Sequence, residues 1–271
     1  MPLDRIDVHT HILPPAWPDL RERFGYGGWP QLEPIGPRQA RIVIDGRSFR
    51  EIDDDCWDPS VRLTDCDRDG VALQVLSTVP VMFAYDKPAA DAAVVARLLN
   101  DHIAGVVADG AGRFAGLGTI PLQDADMAIV ELERCVTELG LDGVQIGTHV
   151  GARDLDDPAI EAVLAAADAL GAAVFVHPWD MLAPERMTRH WLPWLVGMPA
   201  ELAIAIASVV LGGVLDRQPT LRLLFAHGGG AFPGLLGRVE AGFHARPDLA
   251  ATATATEPRQ SVRRIYVDSL T

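Results

Sequence analysis

The sequence predicts an α/β protein, a (β/α)8 barrel of the TIM type, formed by a single domain over residues 1–271. Two observations carry this prediction. A chain of 271 residues with 49% hydrophobic residues can bury one large core. Short apolar runs also alternate regularly with stretches rich in alanine and leucine, which indicates a parallel sheet covered on both faces by helices. Because the alternation shows no division into two halves, it favours a barrel over a doubly wound sheet.

The apolar runs and the stretches between them give the predicted elements in order. Strands are predicted at 6–9, 72–77, 114–119, 143–146, 173–177, 221–226 and 265–268. Helices are predicted at 89–108, 125–139, 158–170 and 199–215. The repetition is structural, since the segments share no internal sequence repeat.

An insertion at 14–60 separates the first two predicted strands. It is rich in Pro, Gly and Trp up to residue 37, and residues 41–50 alternate around a central Asp45-Gly46, which predicts a β-hairpin. A long loop that follows a barrel strand lies over the face where barrel enzymes build their active sites. We therefore expect the insertion to be a lid.

The charge of the chain excludes several kinds of partner. The formal net charge is −14, and Lys87 is the one lysine among 23 basic residues. Such a chain lacks the basic stripe that nucleic acids or anionic membranes require. An anionic substrate would need individual arginines, whose planar guanidinium groups hold carboxylates bidentately.

The N-terminus and the cysteines favour a cytoplasmic protein. No apolar signal segment follows Met1, and the longest uncharged apolar stretch, residues 202–215, is shorter than a bilayer span. Cys56, Cys66 and Cys135 show no metal-binding or disulfide spacing, which predicts reduced thiols.

Four of the eight histidines end predicted strands. His9 and His11 stand two residues apart, so a strand projects both from one face. His177 and His227 each end a later apolar run and are followed by Pro178 and by three glycines. Because neutral imidazole is a common ligand of zinc and similar metals, the set predicts a metal site at the C-terminal end of the strands. His149, after the fourth strand, is a weaker candidate for substrate contact.

The motifs around these histidines resemble a known family. They are Asp-Val-His-Thr-His at 7–11, Val-His-Pro-Trp-Asp-Met at 176–181, Trp-Leu-Pro-Trp-Leu at 191–195 and Ala-His-Gly-Gly-Gly at 226–230. In this order they resemble the aminocarboxymuconate-semialdehyde decarboxylases, in the decarboxylating branch of the amidohydrolase superfamily. The resemblance extends from residue 3 to residue 271. It implies non-oxidative decarboxylation of 2-amino-3-carboxymuconate 6-semialdehyde, a step of tryptophan catabolism.

The resemblance also implies the roles of the histidines. His9, His11 and His177 would bind one zinc ion per chain, and His227 would be the acid/base beside it. A zinc ion with three protein nitrogens and an open position makes hydroxide available near neutral pH. The implied reaction adds hydroxide to the conjugated substrate, protonates a neighbouring carbon and releases CO2.

The resemblance implies three substrate-binding residues in addition. Arg50 would hold a carboxylate of the dicarboxylate substrate from the lid and support catalysis, and Trp191 would line the pocket. Arg238 matches an arginine that reaches the site of the neighbouring subunit, so a homodimer is expected. From the residues alone, each arginine is equally consistent with a solvated surface charge, and Trp191 with an ordinary core aromatic.

The chain departs from the family pattern at its C-terminal end. The family has a further metal ligand, an aspartate after an eighth strand, whereas this sequence ends at Thr271 after the seventh. Asp268 lies in the seventh strand and matches a different position, so it is not assigned as a ligand. We expect a barrel that stops before strand 8, as in a C-terminally truncated chain, with an incomplete metal shell.

Two other functions stay open at this stage. One is a related decarboxylase or hydratase acting on another aromatic or unsaturated carboxylic acid, such as a resorcylate. The other is an inactive relative that keeps the fold while its metal site decays. A hydrolase with two bridged metals is disfavoured, because Lys87 lies away from every strand end and could not provide a carboxylated bridge.

Overall fold

The computed structural model describes residues 5–270 and contains ten strands. Seven form a parallel sheet in the order β1-β5-β6-β7-β8-β9-β10. Their bounds are β1 Arg5–Ile12, β5 Val71–Thr78, β6 Phe114–Thr119, β7 Gly143–Ile146, β8 Ala173–Val176, β9 Arg222–Phe225 and β10 Ile265–Val267. The predicted alternation of strands and helices in a barrel-like α/β fold is confirmed.

Ten α-helices connect or follow the strands in the described residues. They are α1 Leu20–Phe24, α2 Pro59–Asp69, α3 Ala89–Asp109, α4 Ala125–Thr137, α5 Pro158–Leu170, α6 Met198–Leu211, α7 Val214–Arg217, α8 Phe232–Ala245, α9 Pro247–Ala250 and α10 Pro258–Ser261. Several begin at aspartate caps: the Asp124 side chain accepts a hydrogen bond from the backbone amide of Met127, and Asp157 accepts one from Ala159. These caps fix where the helices leave the sheet.

The sheet curves around one large core and is open on one side. Phe175, Leu223 and Phe225 are among its fully buried side chains. Within residues 5–270, β1 and β10 do not pair with each other, so the sheet ends at these two strands. All the neighbouring strands of the sheet pair in parallel, so their carboxyl ends lie at one edge.

The insertion forms a small three-stranded antiparallel sheet. Its strands are β2 Pro30–Gly36, β3 Gln39–Ile44 and β4 Arg47–Asp53. The predicted hairpin around Asp45-Gly46 is present, with both residues at positive φ. The insertion contributes Trp29 to a second core cluster, and its Phe49 ring lies 6.0 Å from the ring of Trp179, close to His177. It therefore packs over the edge where the histidines lie, while its motion as a lid stays a prediction.

The prediction of one helix over 199–215 is wrong in its last residues. Helix α6 ends at Leu211, and the separate short helix α7 begins at Val214. Gly213 between them adopts φ +71°, a left-handed conformation that interrupts a helix and that glycine tolerates best. The sequence-based pattern followed hydrophobicity and missed this glycine break.

One helical run has the length and composition of a membrane span. Residues Pro193–Leu211 form it, and it is partly buried inside the protein. It joins a π-helical turn, Pro193–Gly197, to α6. Its side chains Leu202, Ile206 and Val209 lie in the main core. A buried core helix meets the same criteria, so a single run of this kind is weak evidence for a membrane span.

Candidate active site

The four predicted histidines meet at the carboxyl edge of the sheet. The His9 ring centroid lies 5.1 Å from those of His11 and His227 and 5.0 Å from that of His177. The ring centroids of His11 and His177 are 5.1 Å apart, and those of His177 and His227 are 5.0 Å apart. Residues distant in sequence are thus gathered into one cluster, as the strand-end positions predict.

Local backbone features place each of these rings. His9 and His11 belong to β1, where the pairing register shifts between Asp7 and Thr10. His177 follows β8 directly, and His227 opens a turn after β9 with φ +51°. For a residue with a side chain, this left-handed conformation is uncommon and points to a fixed environment.

In three of the rings, the Nδ1 atom has a fixed hydrogen-bond partner. His177 Nδ1 lies 2.9 Å from the carbonyl oxygen of Pro178, which can only accept, so the ring nitrogen donates. His11 Nδ1 lies 3.1 Å from Ser77 Oγ, and that hydroxyl already donates its proton to the Thr10 carbonyl, so it accepts from His11. In both rings the remaining nitrogen, Nε2, keeps a lone pair for a metal.

The Nδ1 atom of His9 also has a fixed hydrogen-bond partner, which is a carboxylate. Its Nδ1 lies 2.6 Å from Asp268 Oδ2, and an ionised carboxylate only accepts. Asp268 also accepts hydrogen bonds from the backbone amides of His227 and Gly228, at 3.0 and 2.8 Å. Burial opposes ionisation of Asp268, yet these hydrogen bonds from His9 and the two amides hold its pKa below the ordinary value. The His9 ring therefore also presents Nε2.

His227 differs from the other three. Among residues 5–270 its ring makes no hydrogen bond, although its backbone amide does. His227 lines a cavity of about 390 Å³ together with Trp191, Met198 and Leu270. A ring without a fixed partner beside a cavity is suited to exchange protons with a bound molecule.

Burial keeps the imidazoles of His11, His177 and His227 neutral. It lowers the pKa of His11 to about 3, with a further contribution from the neighbouring His9. Burial also lowers the pKa of His177 well below its ordinary value, and lowers that of His227 to about 4. Neutral imidazole is the form that binds metals, so the cluster is ready for coordination near neutral pH.

The donor set fits a divalent transition metal. Atoms of His9, His177 and His227 lie within 4.8 Å of one another, which one ion can bridge. His11 is outside that closest group but adjoins it through the rings of His9 and His177. Metal-binding histidines usually donate Nδ1–H to a fixed partner and bind through Nε2. His9, His11 and His177 have a fixed Nδ1 partner, whereas His227 does not.

The other predicted site residues lie apart from this cluster. Arg50 lies exposed in β4. Trp191 is 58% exposed and stacks on Trp194, with ring centroids 5.8 Å apart. Arg238 is exposed on α8. Among the described residues, the structure joins Trp191 to the His227 cavity and joins neither arginine to the histidines by a hydrogen bond or ion pair.

Two polar contacts near the histidines were not predicted from the sequence. Asp268 lies directly after β10, and this strand-end position is the same signal that identifies the histidines. Glu201, on α6 and 4% exposed, lies 3.3 Å from His149 Nδ1 and raises the pKa of that histidine by a hydrogen bond and its charge. Inside an apolar helix, no spacing rule identifies this glutamate in advance.

Comparisons with known proteins agree with the motifs. The chain matches the amidohydrolase family over residues 6–259. It is 53% identical to 2-amino-3-carboxymuconate-6-semialdehyde decarboxylase from Dictyostelium discoideum, over 98% of this chain and 74% of that protein. The enzyme of the same name from Caenorhabditis elegans is 35% identical, over 98% of this chain and 79% of that protein.

Solved structures show the same fold. The apo form of the IDCase from Metarhizium anisopliae superposes with a TM-score of 0.81 at 23% identity, over 97% of this chain and 77% of that one. A dihydroxybenzoic acid decarboxylase from a Polaromonas species, solved with manganese and 2-nitroresorcinol, gives 0.74 at 21% identity, over 97% and 77%. The resemblance seen in the sequence is confirmed, and the chain belongs to the amidohydrolase family.

Proposed function

We propose that this protein is a metal-dependent, non-oxidative decarboxylase of 2-amino-3-carboxymuconate 6-semialdehyde. One observation carries the proposal: three histidines whose Nδ1 atoms are hydrogen-bonded stand beside a fourth, His227, that lines a cavity. The 53% identity to the Dictyostelium decarboxylase supports this substrate over others.

The proposed metal ligands are the Nε2 atoms of His9, His11 and His177. We propose zinc, because a site of three histidine nitrogens suits it, although the Polaromonas relative holds manganese. When bound, the ion supplies Lewis-acid polarisation and makes hydroxide available near neutral pH. The chain's contribution is to orient three imidazoles through the hydrogen bonds of their Nδ1 atoms.

His227 is the proposed acid/base. Burial keeps its ring neutral, so it can take a proton at one ring nitrogen and return it to a substrate carbon beside the carboxylate that leaves. Trp191 and Met198 on the same cavity provide apolar walls for the conjugated chain of the substrate and exclude water there. Arg50, from β4, is proposed to bind a carboxylate of the substrate when the insertion closes.

The proposal includes a homodimer in which Arg238 completes the site of the partner subunit. Its exposed position on α8, with no ion pair in the described part of the chain, leaves the guanidinium available for that role. Mixing an inactive Arg238→Ala variant with an inactive His227→Ala variant should restore part of the activity, because one mixed site would be intact. No recovery after verified subunit exchange would contradict the shared site.

The eight-stranded form of the barrel is also part of the proposal. In the described residues β1 and β10 each have one neighbour in the sheet. A strand that pairs with both would close the barrel and could carry the aspartate ligand that the family resemblance implies.

The decisive experiment is a direct assay. The protein, freed of metal by a chelator and then reloaded with zinc or manganese, is mixed with the muconate semialdehyde, and the loss of its ultraviolet absorbance is followed. We expect turnover with metal and none without it, and His227→Ala should lower kcat by about 10²–10⁴-fold. Turnover of a resorcylate in place of the semialdehyde would favour the related aromatic decarboxylases, and bound metal without any turnover would favour an inactive relative.

A further inference from the structure

We propose that Asp268 is a positioning residue that holds one metal ligand and the acid/base in a fixed relation. This inference rests on the proposed function, since it takes His9 as a ligand and His227 as the proton-transfer group. Asp268 itself touches neither the proposed substrate cavity nor the ligand nitrogens of the other histidines.

The carboxylate of Asp268 is shared between the two histidines. Its Oδ2 atom accepts from His9 Nδ1 at 2.6 Å and from the backbone amide of His227 at 3.0 Å. Its Oδ1 atom accepts from the amides of Gly228, at 2.8 Å, and Leu270, at 3.2 Å. Because Oδ2 accepts from both histidines, a displacement of the carboxylate would displace the His9 ring and the backbone turn at His227.

Both groups held by Asp268 need support. The Nδ1–H donation of His9 to the carboxylate leaves Nε2 as the ligand atom and fixes the plane of the ring. His227 has φ +51°, a conformation that a residue with a side chain keeps only when its surroundings impose it. Two of the three amides that donate to Asp268, those of His227 and Gly228, lie within this turn.

The hydrogen bond between Asp268 and His9 joins the two edges of the sheet. It follows β10 directly, whereas His9 lies in β1, and these two strands are the unpaired edges of the sheet in residues 5–270. The side chain of Asp268 is 2% exposed and that of His9 is 5% exposed, so water competes little for the hydrogen bond. Asp268 would make the same contacts if it only stabilised the fold by joining the two strand edges. The test must therefore separate an effect on stability from effects on metal binding and proton transfer.

The test compares Asp268→Asn and Asp268→Ala with wild type. The asparagine keeps the shape, but its NH2 group replaces one accepting oxygen, so it cannot accept from His9 and all three backbone amides. We expect zinc affinity of the metal-free protein, measured by competition with a chromophoric chelator, to fall about 10–100-fold in Asp268→Asn. We expect kcat to fall at least tenfold while KM stays within about twofold, because the substrate cavity is unchanged.

A spectroscopic readout needs neither metal nor turnover. A short Nδ1–H hydrogen bond to a carboxylate gives a proton NMR signal at unusually low field, which we expect in wild type and not in either Asp268 variant. Asp248→Asn is the matched control, since Asp248 is an exposed aspartate that pairs only with Arg246, at 2.7 Å. It should keep the signal, the zinc affinity and the turnover of wild type.

The outcomes separate this inference from the proposed function. Wild-type zinc affinity and kcat in a folded Asp268→Asn variant would overturn the positioning role, even if the enzyme is a decarboxylase. A wild-type protein without activity would overturn the proposed function, while the affinity loss and the low-field signal would still support the link between His9 and Asp268. If both variants fail to fold, the wild-type spectrum decides, and absence of the low-field signal contradicts the inference.

Discussion

The proposed site has two halves that differ in how firmly the chain holds them. In the half made by the sheet, His9, His11 and His177 each have a fixed hydrogen-bond partner for Nδ1. In the half made by the insertion and α8, Arg50 and Arg238 are exposed and make no hydrogen bond in the described residues. The comparison teaches that one chain orients the proposed metal ligands by itself, whereas the proposed carboxylate-binding groups would act only when substrate or a second subunit is present.

The largest effect should come from removing a ligand in the half made by the sheet. His177→Ala deletes a 4% exposed imidazole between the other rings, so the metal site loses one of its three nitrogens. We expect the purified variant to hold no stoichiometric zinc and to lose activity by about 10³-fold or more. Elemental analysis and the decarboxylation assay measure both effects.

The control for this variant is another histidine of the same chain. His244 lies exposed on α8, and His244→Ala should keep wild-type metal content and turnover. Full metal content in His177→Ala would contradict the comparison of the two halves. It would show that the half made by the sheet holds the metal without one of its proposed ligands.

The second prediction concerns the pH dependence of the metal-free protein. The folded-state pKa of His11 is lowered to about 3 from 6.5, so the unfolded chain binds the proton more readily. Stability is therefore complete above pH 6.5 and falls as the pH drops toward 3. From His11 alone the loss at pH 5 is about 2 kcal/mol, and burial of His177 acts in the same direction.

Chemical denaturation at pH 7.5 and pH 5 measures this loss. His11→Asn should flatten the pH dependence, because the titrating group is gone. Equal pH dependence in the variant and in wild type would show that the histidine cluster does not control acid stability.

The smallest effect should come from the half of the site made by the insertion and α8. Arg50→Ala should raise KM and lower kcat, with about a tenfold loss in kcat/KM, because a carboxylate clamp contributes to both binding and alignment. Arg47→Ala is the matched control, since Arg47 is an exposed arginine of the same strand. Steady-state kinetics that leave both variants like wild type would place Arg50 among the solvated surface charges.

The barrel-like fold and the clustering of the four histidines were predictable from the sequence, for a physical reason. Strand ends in a parallel sheet share one edge, so apolar runs that end in His177 and His227 had to bring these residues together. The partners of the rings were not predictable, because Ser77 and Asp268 reach them through three-dimensional proximity across 66 and 259 residues. The break at Gly213 was missed because hydrophobic periodicity continues across it.

The proposed roles of Arg50 and Arg238 were predictable only through the family resemblance. Arg50 and Arg238 are two among many surface arginines, and no pattern of charge or spacing distinguishes them in this chain. Their proposed roles depend on molecules outside the chain, whereas the roles of the histidines depend on contacts within it.

The most direct test of the central claim compares zinc affinity in His11→Ala and His227→Ala. The claim is that His11, whose Nδ1 bonds to Ser77, is the third ligand, and that His227, which lines the cavity, is not. Competition titrations of the two metal-free variants should show a large loss of affinity in His11→Ala and near wild-type affinity in His227→Ala. The reverse pattern, with zinc lost from His227→Ala and kept by His11→Ala, would contradict the account.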